Sequence, residues 1–156
     1  MKGEQRLRDG LKIGFTSVVG DMFHAGHIRM INECKQHCDY LIVGLLCDPT
    51  QDRPEKNKPI ESVYERYYRV KNCKGVDEVV PLENESDLTL YLEFSDEIDI
   101  RFVGEDYKGK EFTGKGVCDR KGIQIFYNDR KHGLSSSALR RRVDEDKVCH
   151  TELQTS

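Results

Sequence analysis

Two histidines, His24 and His27, stand in the run Gly20-Asp-Met-Phe-His-Ala-Gly-His27 and carry the densest chemistry in the chain. A neutral imidazole donates one hydrogen bond and accepts another, so such a pair can aim two donors at a phosphate. His-x-x-His can also chelate zinc, but no cysteine or third histidine lies at matching short spacing. Gly26 has no Cβ to hold a ligand away from the backbone. A second cluster, Arg130-Lys-His-Gly-Leu-Ser-Ser-Ser-Ala-Leu-Arg140, joins hydroxyls to two guanidiniums. Taken alone its serines are an ordinary helix cap, and Arg141 and Arg142 beyond them suit a solvated face.

Both clusters gain meaning from the elements that must hold them. Leu11 to Val19 is an apolar, β-branched run that reads as a buried strand. A helix should begin near Gly26, with Ile28, Met30, Ile31 and Cys34 on roughly one face, and end around Cys38-Asp39. Tyr40 to Cys47, apolar at nearly every position, suits a parallel strand covered on both sides. Strand, helix and buried strand form a βαβ unit, so His24 and His27 fall where a first strand hands over to a first helix. Unpaired N–H groups and the positive dipole end make that junction an anion site. Ser135-Ser-Ser137 would open a closing helix through Ala138, Leu139 and Val143, giving a second such site flanked by Arg130 and Arg140.

Between these ends, Asp48 to Ser62 carries Pro49, Pro54 and Pro59 and reads as a long functional loop. Helices are expected at Val63–Cys73 and Leu88–Phe94, strands at Val76–Pro81, Ile100–Gly104 and Gln124–Tyr127. The alternation predicts a single-domain α/β fold with a doubly wound, Rossmann-like parallel sheet, and ligands outside the carboxyl ends of its strands. Residues 1–10 read as a polar N-terminal extension, 11–145 as the domain and 146–156 as a polar tail.

Together the motifs resemble those of the HIGH superfamily of nucleotidyltransferases: His24-Ala-Gly-His27 matches its signature and Leu134-Ser-Ser-Ser-Ala-Leu-Arg140 its Ile-Ser-Ser-Thr-x-Ile-Arg pattern. Within it the similarity is greatest to the cytidylyltransferases, especially the glycerol-3-phosphate type, from Leu11 to about Val143. It includes Asp39-Tyr-Leu-Ile-Val43, Tyr64-Glu-Arg66, Val76-Asp-Glu-Val-Val-Pro81 and Gly104-Glu-Asp-Tyr-Lys-Gly-Lys110. The resemblance implies transfer of CMP from CTP to a phosphorylated small molecule, with adenylyl transfer and a non-catalytic nucleotide-binding module as the alternatives. It puts His24 and His27 on the α- and β-phosphates, Arg130, Ser135 and Ser136 on the triphosphate, and a mobile charge on Lys56 or Lys58.

The same resemblance assigns Val18, Val19, Asp21, Gly26, Gly104, Asp106, Gly133 and Leu134 to nucleotide binding, and Asp48, Arg66, Lys74 and Asp77 to the acceptor. Lys108 and Lys110 could shape that pocket, whereas Arg120 suits the solvent. Val18-Val19-Gly20-Asp21 departs from the family's Gly-Thr-Phe-Asp, Lys74 replaces an arginine and Glu105 an aspartate. Mg²⁺ is expected to arrive on the nucleotide phosphates, with no dedicated protein metal site, and a homodimer to form near the Val76-Asp-Glu strand.

Composition sets the outer bounds. Lys and Arg number 25 against 28 Asp and Glu, a net charge of −3, so no broad basic surface marks a nucleic-acid binder. No apolar run approaches the ~20 residues of a membrane span and the first ten residues lack a signal core, so a cytoplasmic protein is expected. Its six cysteines are expected to be reduced.

Overall fold

The computed structural model describes residues 8–155 and shows a five-stranded, wholly parallel sheet in the order β3-β2-β1-β4-β5. The strands are β1 (Ile13–Val18), β2 (Tyr40–Leu46), β3 (Glu78–Leu82), β4 (Ile100–Gly104) and β5 (Gln124–Asn128). Between and after them run α1 (Ala25–Lys35), α2 (Val63–Lys71), α3 (Glu85–Phe94), α4 (Lys115–Lys121) and α5 (Ser136–Thr155). Among the described residues no helix is long and apolar enough to cross a membrane, and the six cysteines are free.

Helices cover both sheet faces, which explains why β2 is apolar along its length. On one face Ile31 and Cys34 of α1 and Val70 of α2 pack on Leu41, Val43, Leu45, Ile100 and Phe102. On the other, Leu88 and Leu92 of α3 and Val117 and Cys118 of α4 pack on Ile13, Phe15 and Ile42. Gly14 and Gly44 are needed for this closeness: a Cβ on Gly14 would lie 2.6 Å from the Phe102 ring, and one on Gly44 2.8 Å from Phe15.

Local chemistry sets the helix starts. Ser62 and Glu65 form a capping box for α2, and the Asn84 side chain accepts from Asp87 N to start α3. The expected doubly wound sheet is present, with two differences in elements. Helix α4 escapes sequence reading because it has seven residues between two left-handed glycines, Gly114 and Gly122. Helix α5 runs on to Thr155, across the positions that composition marks as a polar tail. Because the sheet order reverses between β1 and β4, those strands diverge into separate connections and open a crevice at their carboxyl ends.

Candidate functional site

An open cavity of about 410 Å³ fills that crevice. Its first wall is the β1–α1 junction. Chain leaving β1 turns through left-handed Gly20 (φ +72°) and Met22 (φ +48°), an uncommon conformation for a side-chain-bearing residue. His24 then caps α1: its Nδ1 accepts from Gly26 N at 3.0 Å, while His27 Nδ1 accepts from His24 N at 3.1 Å. Two accepting Nδ1 atoms place each ring's proton on Nε2, so both imidazoles become outward donors fixed by the backbone. The rings lie 4.0 Å apart, and Phe23 stacks on His27 at 4.9 Å.

The electrostatics keep the pair neutral. Burial, followed by the charges of His24 and Arg130 and against a pull from Asp21, pushes His27 down from 6.5 to about 4. His24 is also lowered, by burial and then by His132. Between pH 6.5 and 4 the unfolded chain therefore binds a proton at His27 that the folded chain does not. Stability should rise with pH through this window and be lost as pH falls. Urea midpoints at pH 7 and pH 5 measure the difference, which should shrink in His27→Gln; an equal difference in both proteins contradicts the assignment.

The second wall is the start of α5. Ser135 Oγ accepts from Ala138 N at 3.1 Å as the cap, and Ser136 Oγ donates to Asp21 O at 3.3 Å. A Cβ on Gly26 would come within 2.8 Å of Leu134 O, so the α1 and α5 starts are in close approach and glycine is required there. Asp21, only 6% exposed, ties this corner together by accepting from Ile60 N and Glu61 N of the long loop and pairing with Arg140 at 2.9 Å. Glu33 of α1 accepts from Asn128 and from Asp129 N, fixing where the chain departs β5 toward Arg130. Gly104 gives Arg130 its room, since a Cβ there would lie 2.6 Å from Arg130 Nε.

The third wall lies over the opposite sheet face. Arg53 Nε pairs with Glu85 at 2.6 Å and its Nη1 donates to Tyr107 Oη at 2.8 Å; Thr113 Oγ1 donates to the same Glu85 at 2.6 Å. Beneath them Arg101 of β4 reaches into the cavity.

The structure brings Val18, Val19, Asp21, His24, Gly26, His27, Lys56, Gly104, Arg130, Leu134, Ser135 and Ser136 to one cavity wall or another. Asp106 stays beside it, 3.7 Å from Arg130 Nε, and left-handed Gly133 turns the chain into α5. The acceptor residues are placed differently. Lys74 and Asp77 precede β3, at the amino ends of parallel strands and so opposite the cavity; Asp77 pairs with Lys35 and accepts from Leu41 N. Arg66 is 2% exposed and directs its hydrogen bonds to main-chain carbonyls. Asp48 caps the short turn Pro49–Gln51 through Thr50, while Lys58, Lys108 and Lys110 are exposed outside the lining and Arg120 pairs with Glu93. Sequence reading missed Arg53, Glu85, Arg101 and Thr113, which belong to no short motif and converge only through the fold.

A doubly wound parallel sheet with an open cavity at its switch point, walled by two helix starts, defines a Rossmann-like α/β protein. The family model for cytidylyltransferase-like proteins matches residues 20–142, and the chain belongs to that family. It is 28% identical over 142 residues to the bifunctional protein HldE of Aliarcobacter butzleri, covering 90% of this chain and 29% of that one. It is 30% identical over 139 residues to the HldE of Hyphomonas neptunium, covering 88% and 28%. This chain thus spans under a third of the length of these relatives. Among solved structures, a lipopolysaccharide core biosynthesis protein from Thermoplasma volcanium superposes with a TM-score of 0.60 at 23% identity, covering 77% of this chain and all of that one. Pantoate-beta-alanine ligase from Francisella tularensis shares the fold at a TM-score of 0.51 and 19% identity, covering 86% and 69%.

Proposed function

We infer that this protein transfers a nucleotidyl group, CMP from CTP in the leading reading, to the phosphate of a small phosphorylated molecule. The observation that carries this reading is the close approach of the α1 and α5 starts, with the Nε2 donors of His24 and His27 held between them. A phosphate oxygen of the acceptor attacks the α-phosphorus, the bond to the β-phosphate breaks and pyrophosphate leaves. The attacking oxygen is already anionic, so no base is required. Fixed donors that meet charge as it grows on the phosphoryl oxygens are the main contribution of such a site. Lys56, on the loop that lines the mouth, adds a mobile charge.

Mg²⁺ is expected to enter on the triphosphate and neutralise it. Among the described residues no three His, Cys, Asp or Glu side chains gather as a metal site, and the lining acids Asp21 and Glu85 are engaged by Arg140 and Arg53. These residues suit an ion held mainly by phosphate oxygens and water.

Adenylyl transfer to a sugar phosphate is the second reading, favoured by the match of most of this chain to the HldE proteins. Incubation with each of the four nucleoside triphosphates, Mg²⁺ and glycerol 3-phosphate, phosphocholine or hexose 1-phosphates separates the two. Pyrophosphate released fastest with CTP supports cytidylyl transfer, release with ATP moves the assignment to adenylyl transfer, and none with any pair refutes both. Light scattering of the same protein tests for the homodimer, whose expected seam lies near β3, one of the two edge strands.

A further inference from the structure

Arg101 is the unusual residue in the crevice. It sits at the centre of the sheet, in β4 between β1 and β5, opposite Phe15, and is 4% exposed. A buried charge is normally paired, because removing it from water costs more than any other polar burial. Arg101 makes no ion pair among the described residues. Its Nη1 donates to Thr113 O, the Cys118 thiol lies beside it and Phe112 packs under the guanidinium with 5.2 Å to the ring centroid. Its Nε is fully buried and has no hydrogen-bond partner. Glu85, whose charge acts on Arg101, has its oxygens engaged by Arg53 and Thr113. Arg66 offers the contrast, since its buried guanidinium donates to four main-chain carbonyls.

Other cations at the cavity differ in this respect. Arg53 and Arg140 have carboxylate partners, Arg130 lies 3.7 Å from Asp106, and Lys56 is exposed on its loop. The histidines and the α5 start stand over one sheet face, and Arg101 approaches from the other. In-line transfer needs the acceptor phosphate on the side of the α-phosphorus away from the leaving pyrophosphate, and two anions meet there only if a cation offsets their repulsion.

We propose that Arg101 is the acceptor-binding cation: its guanidinium, oriented by the Thr113 carbonyl and Phe112, holds the reacting phosphate of a phosphomonoester across the crevice from His24 and His27. This proposal deepens the transferase reading and rests on it for the word acceptor, but the anion site itself can be tested separately.

Calorimetry on the full chain, saturated with a non-hydrolysable CTP or ATP analogue, is titrated with glycerol 3-phosphate, glucose 1-phosphate and inorganic phosphate. Glycerol and glucose serve as uncharged controls. Phosphomonoester binding is expected in the parent, weakened about 30-fold in Arg101→Met, the scale of a lost hydrogen bond to a charged group. Arg101→Lys should recover part of it, because the charge returns without the planar fork. Nucleotide affinity should change less than about twofold, against the tenfold that 1.4 kcal/mol represents. The melting temperature of Arg101→Met should not fall, since methionine fills the site without a buried charge. Unchanged phosphomonoester binding in Arg101→Met, no binding in the parent, or a joint fall in nucleotide affinity and melting temperature overturns the proposal. Arg101-dependent binding without pyrophosphate release from any pair would keep the anion site and remove the transferase reading.

Discussion

Replacing His27 by alanine is expected to lower kcat by about 10²–10³-fold, the loss seen when one preorganised donor to a developing oxyanion is removed. The expectation follows from how the side chain is held. His27 Nδ1 is occupied by His24 N, and the ring packs against Phe23, so Nε2–H is aimed before any ligand arrives. A donor so fixed costs nothing to reorganise in the transition state. Because His27 is held near a pKa of 4, it acts at neutral pH as a neutral donor, and kcat should show no limb from its titration between pH 6 and 8.

Alanine also removes half of the α1 cap, worth about 1 kcal/mol of stability. His27→Asn separates the two effects: an amide oxygen can accept from His24 N, but its short side chain cannot carry a donor to the Nε2 position. Asparagine should restore the melting temperature and leave kcat low. Pyrophosphate release at saturating substrates together with thermal melting makes the comparison. Turnover within tenfold of the parent in either variant would remove His27 from the transition state.

The sequence exposes the β1–α1 junction because three signals coincide there. An apolar run stops, Gly20-Asp21 breaks it and the spacing of Ile31 and Cys34 starts a helix, so residue types alone put the histidines at a helix start. The α5 start is legible for the same kind of reason, through a serine run before a helical pattern. Arg101 shows where such reading stops. It lies in the run Ile100–Gly104, which reads only as a strand, and its place in the crevice lining follows from β4 lying between β1 and β5. Lys74 and Asp77 fail differently. They belong to a run that resembles the family, but parallel pairing of β3 with β2 puts the start of β3 at the amino ends, opposite the crevice. Motif continuity along the chain carries no information about which end of a strand a residue occupies.

Arg66 poses that question most sharply, and the second large effect is expected there. Its Nε donates to Glu61 O at 3.1 Å, Nη1 to Val19 O at 2.9 Å and Leu46 O at 2.7 Å, and Nη2 to Cys47 O at 2.5 Å. One side chain thereby joins the exits of β1 and β2 to the end of the long loop. Arg66→Met keeps the length and apolar stem but abandons four carbonyls together, and a single stranded buried polar group costs ~1–3 kcal/mol. Relaxation and water entry recover part of this, so the net loss should be about 3–5 kcal/mol. Arg66→Lys should lose most of it as well, because an ammonium offers three donors from one point and cannot span four acceptors arranged around a planar fork. Urea unfolding measures the loss. A residue that held the acceptor phosphate, as the family resemblance implies, would behave in the opposite way: methionine would raise the acceptor KM and leave the unfolding midpoint in place. The same two measurements on Arg101→Met should give that opposite pattern. Together, the variants distinguish an arginine that closes the main chain of the crevice from one that waits in it for an anion.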